Sequence, residues 1–117
     1  MPKVIFHVDE SGRWPMVLSN AESMMKYARA EHVLFEIEIL ANSEAVRQLT
    51  AQAAAQAELT ERMEELARSG VRFAGCRNAM RGLNIEPGDL LPLAQTVPSG
   101  VVELALRQEE GYAYIRP

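Results

Sequence analysis

Apolar and polar positions alternate along this chain in two periods, one near two residues and one near 3.6. Val4-Ile5-Phe6-His7-Val8 is a short apolar run, the pattern of a buried strand. Asp9-Glu10-Ser11-Gly12 turns the chain. Trp14, Val17, Leu18, Ala21, Met24, Met25 and Ala28 then recur at helical spacing. They place one apolar stripe on a helix of about 15 residues, and Pro15 is tolerated in its first turn. Val33 to Leu40 reads as the second strand, with Phe35, Ile37 and Ile39 on one face and Glu36 and Glu38 on the other. A parallel strand covered on both faces is apolar on both. The two glutamates therefore predict that part of this face meets water, a basic partner or another subunit.

Ser43 is placed to cap the next helix, with Glu44 favourable in its first turn. Val46, Leu49, Leu59, Met63 and Leu66 mark that helical region, and its stripe weakens across Ala51–Ala57. This Ala/Gln-rich stretch reads as helix or as a frayed helical connection. Gly70 suits the left-handed position that ends a helix. Val71 to Gly75 is the third strand, Cys76 stands at its end, and Arg77 to Leu83 forms a short helix. Asn84 and Pro87-Gly88 punctuate the chain. Leu93 to Val97 is the fourth strand, Pro98-Ser99-Gly100 turns into a helix over Val101–Glu110, and Tyr112 to Ile115 is the last strand. Tyr112 and Tyr114 share one face, either of a packed edge strand or of an oligomer contact. Alternating strands and helices imply βαβ units with right-handed crossovers, a mainly parallel sheet and helices on both of its faces.

The chain has 117 residues, the length of one domain. Its formal net charge is −4 and its 12 basic residues are scattered. That excludes a nucleic-acid footprint, which needs clustered cations against phosphates, and a basic membrane-surface helix. No apolar run approaches the ~18 residues of a membrane span. The start of the chain runs straight into a strand, without the apolar region of a signal peptide. One cysteine allows no internal disulfide, which fits a reducing cytosol. No cluster has metal-ligand spacing, and neither a phosphate-binding loop nor a dinucleotide fingerprint is present, so no metal or cofactor is implied.

Ligands of open α/β sheets bind at the carboxyl ends of the strands. Four junctions gather there: His7 to Ser11, Asn42-Ser43, Cys76 to Asn78, and Pro98-Ser99-Gly100. Cys76 is the sharpest candidate. The thiolate is the reactive form of cysteine. Unpaired N–H groups at a helix start stabilise an anion, Arg77 adds positive charge if it turns inward, and Gly75 removes bulk beside the sulfur. The other reading is a small apolar core filler. Ser99-Gly100 offers a helix start, either as an anion site or as plain capping by Ser99. His7 either activates a thiol, binds an anion, or is a satisfied core histidine. His32 reads as surface.

Six segments together resemble the DsrE/DsrF-like family of small sulfur-relay and sulfur-oxidation proteins, in particular its stand-alone bacterial members. They are Val4-Ile5-Phe6-His7-Val8-Asp9 with Leu18-Ser19-Asn20, Phe35-Glu36-Ile37-Glu38-Ile39, Gly70 to Asn78, Val97 to Leu104, and Arg107 to Ile115. The segments around Cys76 and Pro98–Glu103 are the most specific. The resemblance implies a three-layer α/β/α fold on a five-stranded, mainly parallel sheet, and homo-oligomers, commonly trimers or hexamers. It also implies a sulfur-carrying cysteine after the third strand, which maps onto Cys76, beside a sulfur donor or acceptor protein. At the second strand end, Ala41-Asn42-Ser43 replaces the small-residue turn with His or Gly that the family would have there. The leading expectation is a cytosolic sulfur-handling protein. Cys76 carries a persulfide, with the N–H groups after it and at Ser99-Gly100 holding the anion and Asn78 donating a hydrogen bond. The rival is a non-catalytic small-anion or nucleotide-binding or scaffold module that uses the same crevice, with Asn42, Ser43 and His7 lining it.

Overall fold

The computed structural model describes residues Met1–Pro117. The strands are β1 (Lys3–Val8), β2 (Glu36–Ala41), β3 (Arg72–Cys76), β4 (Ala94–Val97) and β5 (Ala113–Ile115). The helices are α1 (Trp14–Glu31), α2 (Ala51–Gln56), α3 (Thr60–Arg68), α4 (Arg77–Gly82) and α5 (Gly100–Glu109). The strands form one sheet in the order β4-β3-β2-β1-β5, and every neighbouring pair is parallel. From β1 to β4 the chain steps across the sheet in one direction. It then returns from β4 to β5 in the other. Right-handed crossovers therefore put α1 to α4 on one face and α5 on the opposite face. The three-layer α/β/α architecture with a parallel sheet is the one expected from the sequence.

The larger core lies under α1 to α4. Trp14 and Phe73 stack at its centre with ring centroids 6.3 Å apart, and the Trp14 indole N–H donates to the Ala45 carbonyl at 2.9 Å. Both residues are fully buried. A smaller apolar cluster of Ile5, Leu40, Ala74, Leu104 and Tyr112 lies under α5. No helix is long and apolar enough to cross a membrane.

Three local expectations are corrected. First, β2 starts at Glu36, not Val33. His32 ends α1 in the left-handed region at φ 55°, and Val33 and Leu34 are exposed. Second, Ser43 caps nothing. Its own φ is 52°, Asn42 precedes a 3-10 segment over Ser43–Leu49, and neither side chain caps it. Third, the helical region behind Ser43 is three pieces. Thr50 is extended and its hydroxyl accepts from the Ala53 N–H at 3.2 Å, starting α2 afresh. Glu58 at φ 58° then breaks α2 from α3. The apolar stripe weakens across Ala51–Ala57 because the chain changes direction on either side of a six-residue helix.

On the Glu36/Glu38 face it is Glu38 that is closed off from water, by its own chain. Register places Glu38 beside Ile5 of β1 and Arg72 of β3, beneath α5. Its side chain is 1 % exposed, and Arg72 donates to it. Glu36 accepts from the Tyr112 hydroxyl. The chain thus pairs both carboxylates, covering Glu38 and leaving Glu36 half-buried.

Candidate functional site

Strand alternation sets what faces α5. From the amino to the carboxyl ends of the strands, β1 presents Lys3, Ile5 and His7, β2 presents Glu36, Glu38 and Leu40, and β3 presents Arg72, Ala74 and Cys76. The apolar middle row packs on Leu104. Beneath α5 there are therefore two polar groups, one at each end of the strands.

At the carboxyl ends, Cys76 is 6 % exposed. The Gly100 N–H, at the first position of α5, donates to its Sγ at 3.2 Å. This close approach requires glycine. A Cβ at position 100 would stand 3.0 Å from Asn42 Cβ, 3.3 Å from Cys76 Cβ and 3.3 Å from Leu40 Cδ1. Ser99 is the N-cap of α5, its hydroxyl accepting from the Val102 N–H at 3.5 Å. The start of a ten-residue helix is thus aimed at the sulfur, and the positive end of its dipole favours an anion there.

His7 bridges Asn42 and Tyr114 on the same edge. Its Nε2 lies 2.9 Å from Asn42 Oδ1 and its Nδ1 lies 2.7 Å from the Tyr114 hydroxyl. With Oδ1 as acceptor, Nε2 carries the hydrogen, and in the neutral ring Nδ1 accepts from tyrosine. Asn42 is therefore held between His7 and the Gly100 contact. Arg116 closes the far side by pairing with Asp9 at 3.0 Å.

The structure thus brings Cys76, Gly100, Asn42 and His7 together, with Ser99 as their cap. It does not bring Arg77 or Asn78 to the sulfur. The Arg77 Nε donates to Thr96 at 2.8 Å, and Thr96 pairs with Gly75, one position out of phase with the Cys76–Val97 pair. Asn78 is exposed and accepts from Arg81. Gly75 does not clear space for the sulfur either. A Cβ there would stand 3.1 Å from Leu49 Cδ1, in the larger core. Ser43 makes no hydrogen bond that links it to the sulfur. Tyr114 was missed as a partner of His7 because the two are 107 residues apart, and the only sequence signal is its alternation with Tyr112. No group of three or more His, Cys, Asp or Glu side chains is arranged to hold a metal ion.

At the amino ends of the strands, Glu38 Oε1 is paired with Arg72 and Oε2 is buried without a partner. Burial, with the Glu103 carboxylate of α5 beside it, pushes the Glu38 carboxyl up to about 7 against the pull of Arg72. Burial and Glu36 raise the Tyr112 hydroxyl to about 12, and the Tyr112 hydrogen bond holds Glu36 below the usual carboxylate range.

A parallel sheet with a lone cysteine under the start of a crossing helix defines a class of small α/β protein. Within that class, the chain matches the DsrE/DsrF-like family over residues 3–117 and belongs to it. The family is associated in general with sulfur relay. The chain is similar along its full length to the full length of MTH1491, a protein of unknown function from Methanobacterium thermoautotrophicum. Identity to it is 34% and the TM-score 0.87. It is also similar to the YchN protein of E. coli, again with 100% of each chain covered, at 14% identity and TM-score 0.71. At that identity the second likeness shows the fold alone. No curated protein matches the chain.

Two outcomes follow from this geometry. Gly100→Ala is expected to cost about 1–3 kcal/mol by overpacking, measured by urea denaturation followed through the single tryptophan, Trp14. An unchanged midpoint would mean that α5 does not sit where its contacts place it. Glu38 keeps its proton up to about 7 in the folded chain, against an ordinary value of 4.5. The folded state therefore binds more protons between those values, and stability falls as pH rises across that window by at most about 1.4 kcal/mol per unit. Denaturation from pH 4.5 to 7 should show a shallower fall in Glu38→Gln than in the native chain.

Proposed function

We propose that this protein is a cytosolic sulfur carrier that accepts sulfane sulfur on Cys76 as a persulfide and passes it to an acceptor thiol. The carrying observation is the Gly100 N–H directed at Sγ from 3.2 Å at the start of α5. The Cys76 thiolate attacks the outer sulfur of a donor persulfide. The Sγ–S bond forms as the donor S–S bond breaks, the donor leaves as a thiol after taking up the proton of the outer sulfur, and Cys76 is left as an anionic persulfide. An acceptor thiolate then removes the outer sulfur and regenerates the Cys76 thiolate. A lone cysteine suffices, since the partner brings the second thiol. Membership of a family associated with sulfur relay supports the reading.

A second reading is a non-catalytic small-anion or nucleotide-binding module. The observation in its favour is the burial of Cys76; a groove of about 400 Å³ beside α4, where Arg77 and Arg81 flank Met80 and Ile85, offers an anion a place other than the Cys76 crevice.

We also propose a homo-oligomer, a trimer or hexamer. Val101, Val102 and Leu106 stand exposed on the outer side of α5, with Tyr114 and Ile115 exposed on the neighbouring edge strand. Exposed apolar surface is what subunit contacts cover.

Incubation with a small persulfide or polysulfide, read by intact mass, should add one sulfur to the native chain and none to Cys76→Ser. Equal loading of both, with thermal stabilisation by small anions, would replace this reading with the second. Light scattering at micromolar concentration is expected to give a multiple of the 13.0 kDa chain mass, and the mass of a single chain would contradict the oligomer.

A further inference from the structure

Two grooves of about 400 Å³ each open beside α4 and α2, and Ile85 is a wall of both. The first is flanked by Arg77 and Arg81 over buried Met80. The second is lined by Arg47 and Gln48. Acidic residues outnumber basic ones in this chain, 16 to 12, and its ion pairs use Arg62, Arg68, Arg72, Arg107 and Arg116. Arg47, Arg77 and Arg81 pair with no carboxylate. Arg77 and Arg81 stand one turn apart on α4, at a spacing where like charges repel. Each is steadied by a neutral group, Arg77 donating to Thr96 at 2.8 Å and Arg81 to Asn78. Those bonds hold the guanidinium groups without neutralising them and leave further N–H donors free for an anion. Glu86 is the one carboxylate on either groove, so the lining carries net positive charge. Gln48 supplies an independent observation. Its Oε1 is buried and accepts from nothing, and an acceptor closed off without a donor costs the fold stability. Of the buried side-chain atoms in that state, it is the one that lines either groove.

We propose that the two grooves form one binding site for a mononucleotide-like ligand, a phosphate monoester carried on a flat ring with an amino group. The phosphate takes Arg77 and Arg81, because the planar guanidinium fork matches its oxygens. The ring lies against the apolar wall at Ile85, and its amino N–H supplies the donor that Gln48 Oε1 lacks. Arg47 adds positive charge on the same side of the ligand as Gln48. Sites for small organic ligands hold roughly 300–1,000 Å³, and each groove is already within that range. An arginine pair that repels in the free chain becomes favourable once a phosphate lies between its members. Neither groove includes Cys76 or Gly100. The site is therefore separate from the sulfur crevice and does not require that Cys76 carry sulfur.

The probe is AMP, titrated by calorimetry and mapped by amide NMR shifts. Binding should move the signals of residues 47–56 and 77–87, which border the two grooves. Adenosine and inorganic phosphate each carry half of the ligand, and each should bind at least about tenfold more weakly than AMP. The double variant Arg77→Gln/Arg81→Gln should lose about tenfold or more in AMP affinity, with a urea midpoint no lower than the native one, since it removes a repulsion. Gln48→Leu should weaken AMP roughly fivefold, an arm that stands if the arginine variant does not fold. Cys76→Ser should bind AMP as the native chain does, which separates this site from the sulfur reading. Absence of heat and of shifts at millimolar AMP, shifts confined to the crevice at Gly100, phosphate binding as tight as that of AMP, or native affinity in the arginine variant would each overturn the proposal.

Discussion

The absence of a side chain at position 100 lets α5 rest on the sheet. With 3.0 Å to Asn42 and 3.3 Å to Cys76 from where a Cβ would be, no other residue allows the helix start to reach the sulfur without moving something. Cys76 would then be an ordinary buried cysteine. Gly100 makes it the one side chain in contact with the leading N–H of a ten-residue helix. Everything proposed for the carboxyl edge of the sheet depends on that seating.

The α5 face has an unusual composition for a sheet covered on both sides. A buried carboxyl is costly unless it is paired or kept neutral. Glu38 is partly both, with Arg72 on one oxygen and a raised proton affinity on the other. The apolar band of Ile5, Leu40, Ala74 and Leu104 separates it from Cys76, so the two clusters do not touch. Both lie beneath α5. The larger core on the other face is centred on Trp14 and Phe73.

Much of this was legible in the sequence. Period-two and period-3.6 runs located all five strands and the main helices, because apolar burial on a regular element dictates both periods. The placement of Cys76 and Gly100 on one edge followed from parallel strands alone. Other features were not legible. Glu36 and Glu38 read as an exposed or partnered face because their cover comes from Arg72 and α5, 34 residues and more away. Ser43 looked like a cap, since serine before an acidic residue is a common helix start, but a left-handed φ at Ser43 makes a 3-10 segment instead. Arg77 looked like a neighbour of the sulfur by sequence adjacency, yet Thr96 on the adjoining strand holds it. Local pattern carries the elements, while long-range pairing decides which polar side chains meet.

The central claim is that Cys76 is a poised and reachable thiol, not core filler. The most direct measurement is the rate at which a small alkylating reagent labels Cys76, at about pH 8, in the native chain and in the same chain unfolded. The prediction is that Cys76 is labelled in the folded chain, since a thiol that takes up and gives away sulfur must be reached there. Labelling that waits for unfolding would contradict it and leave Cys76 a structural residue.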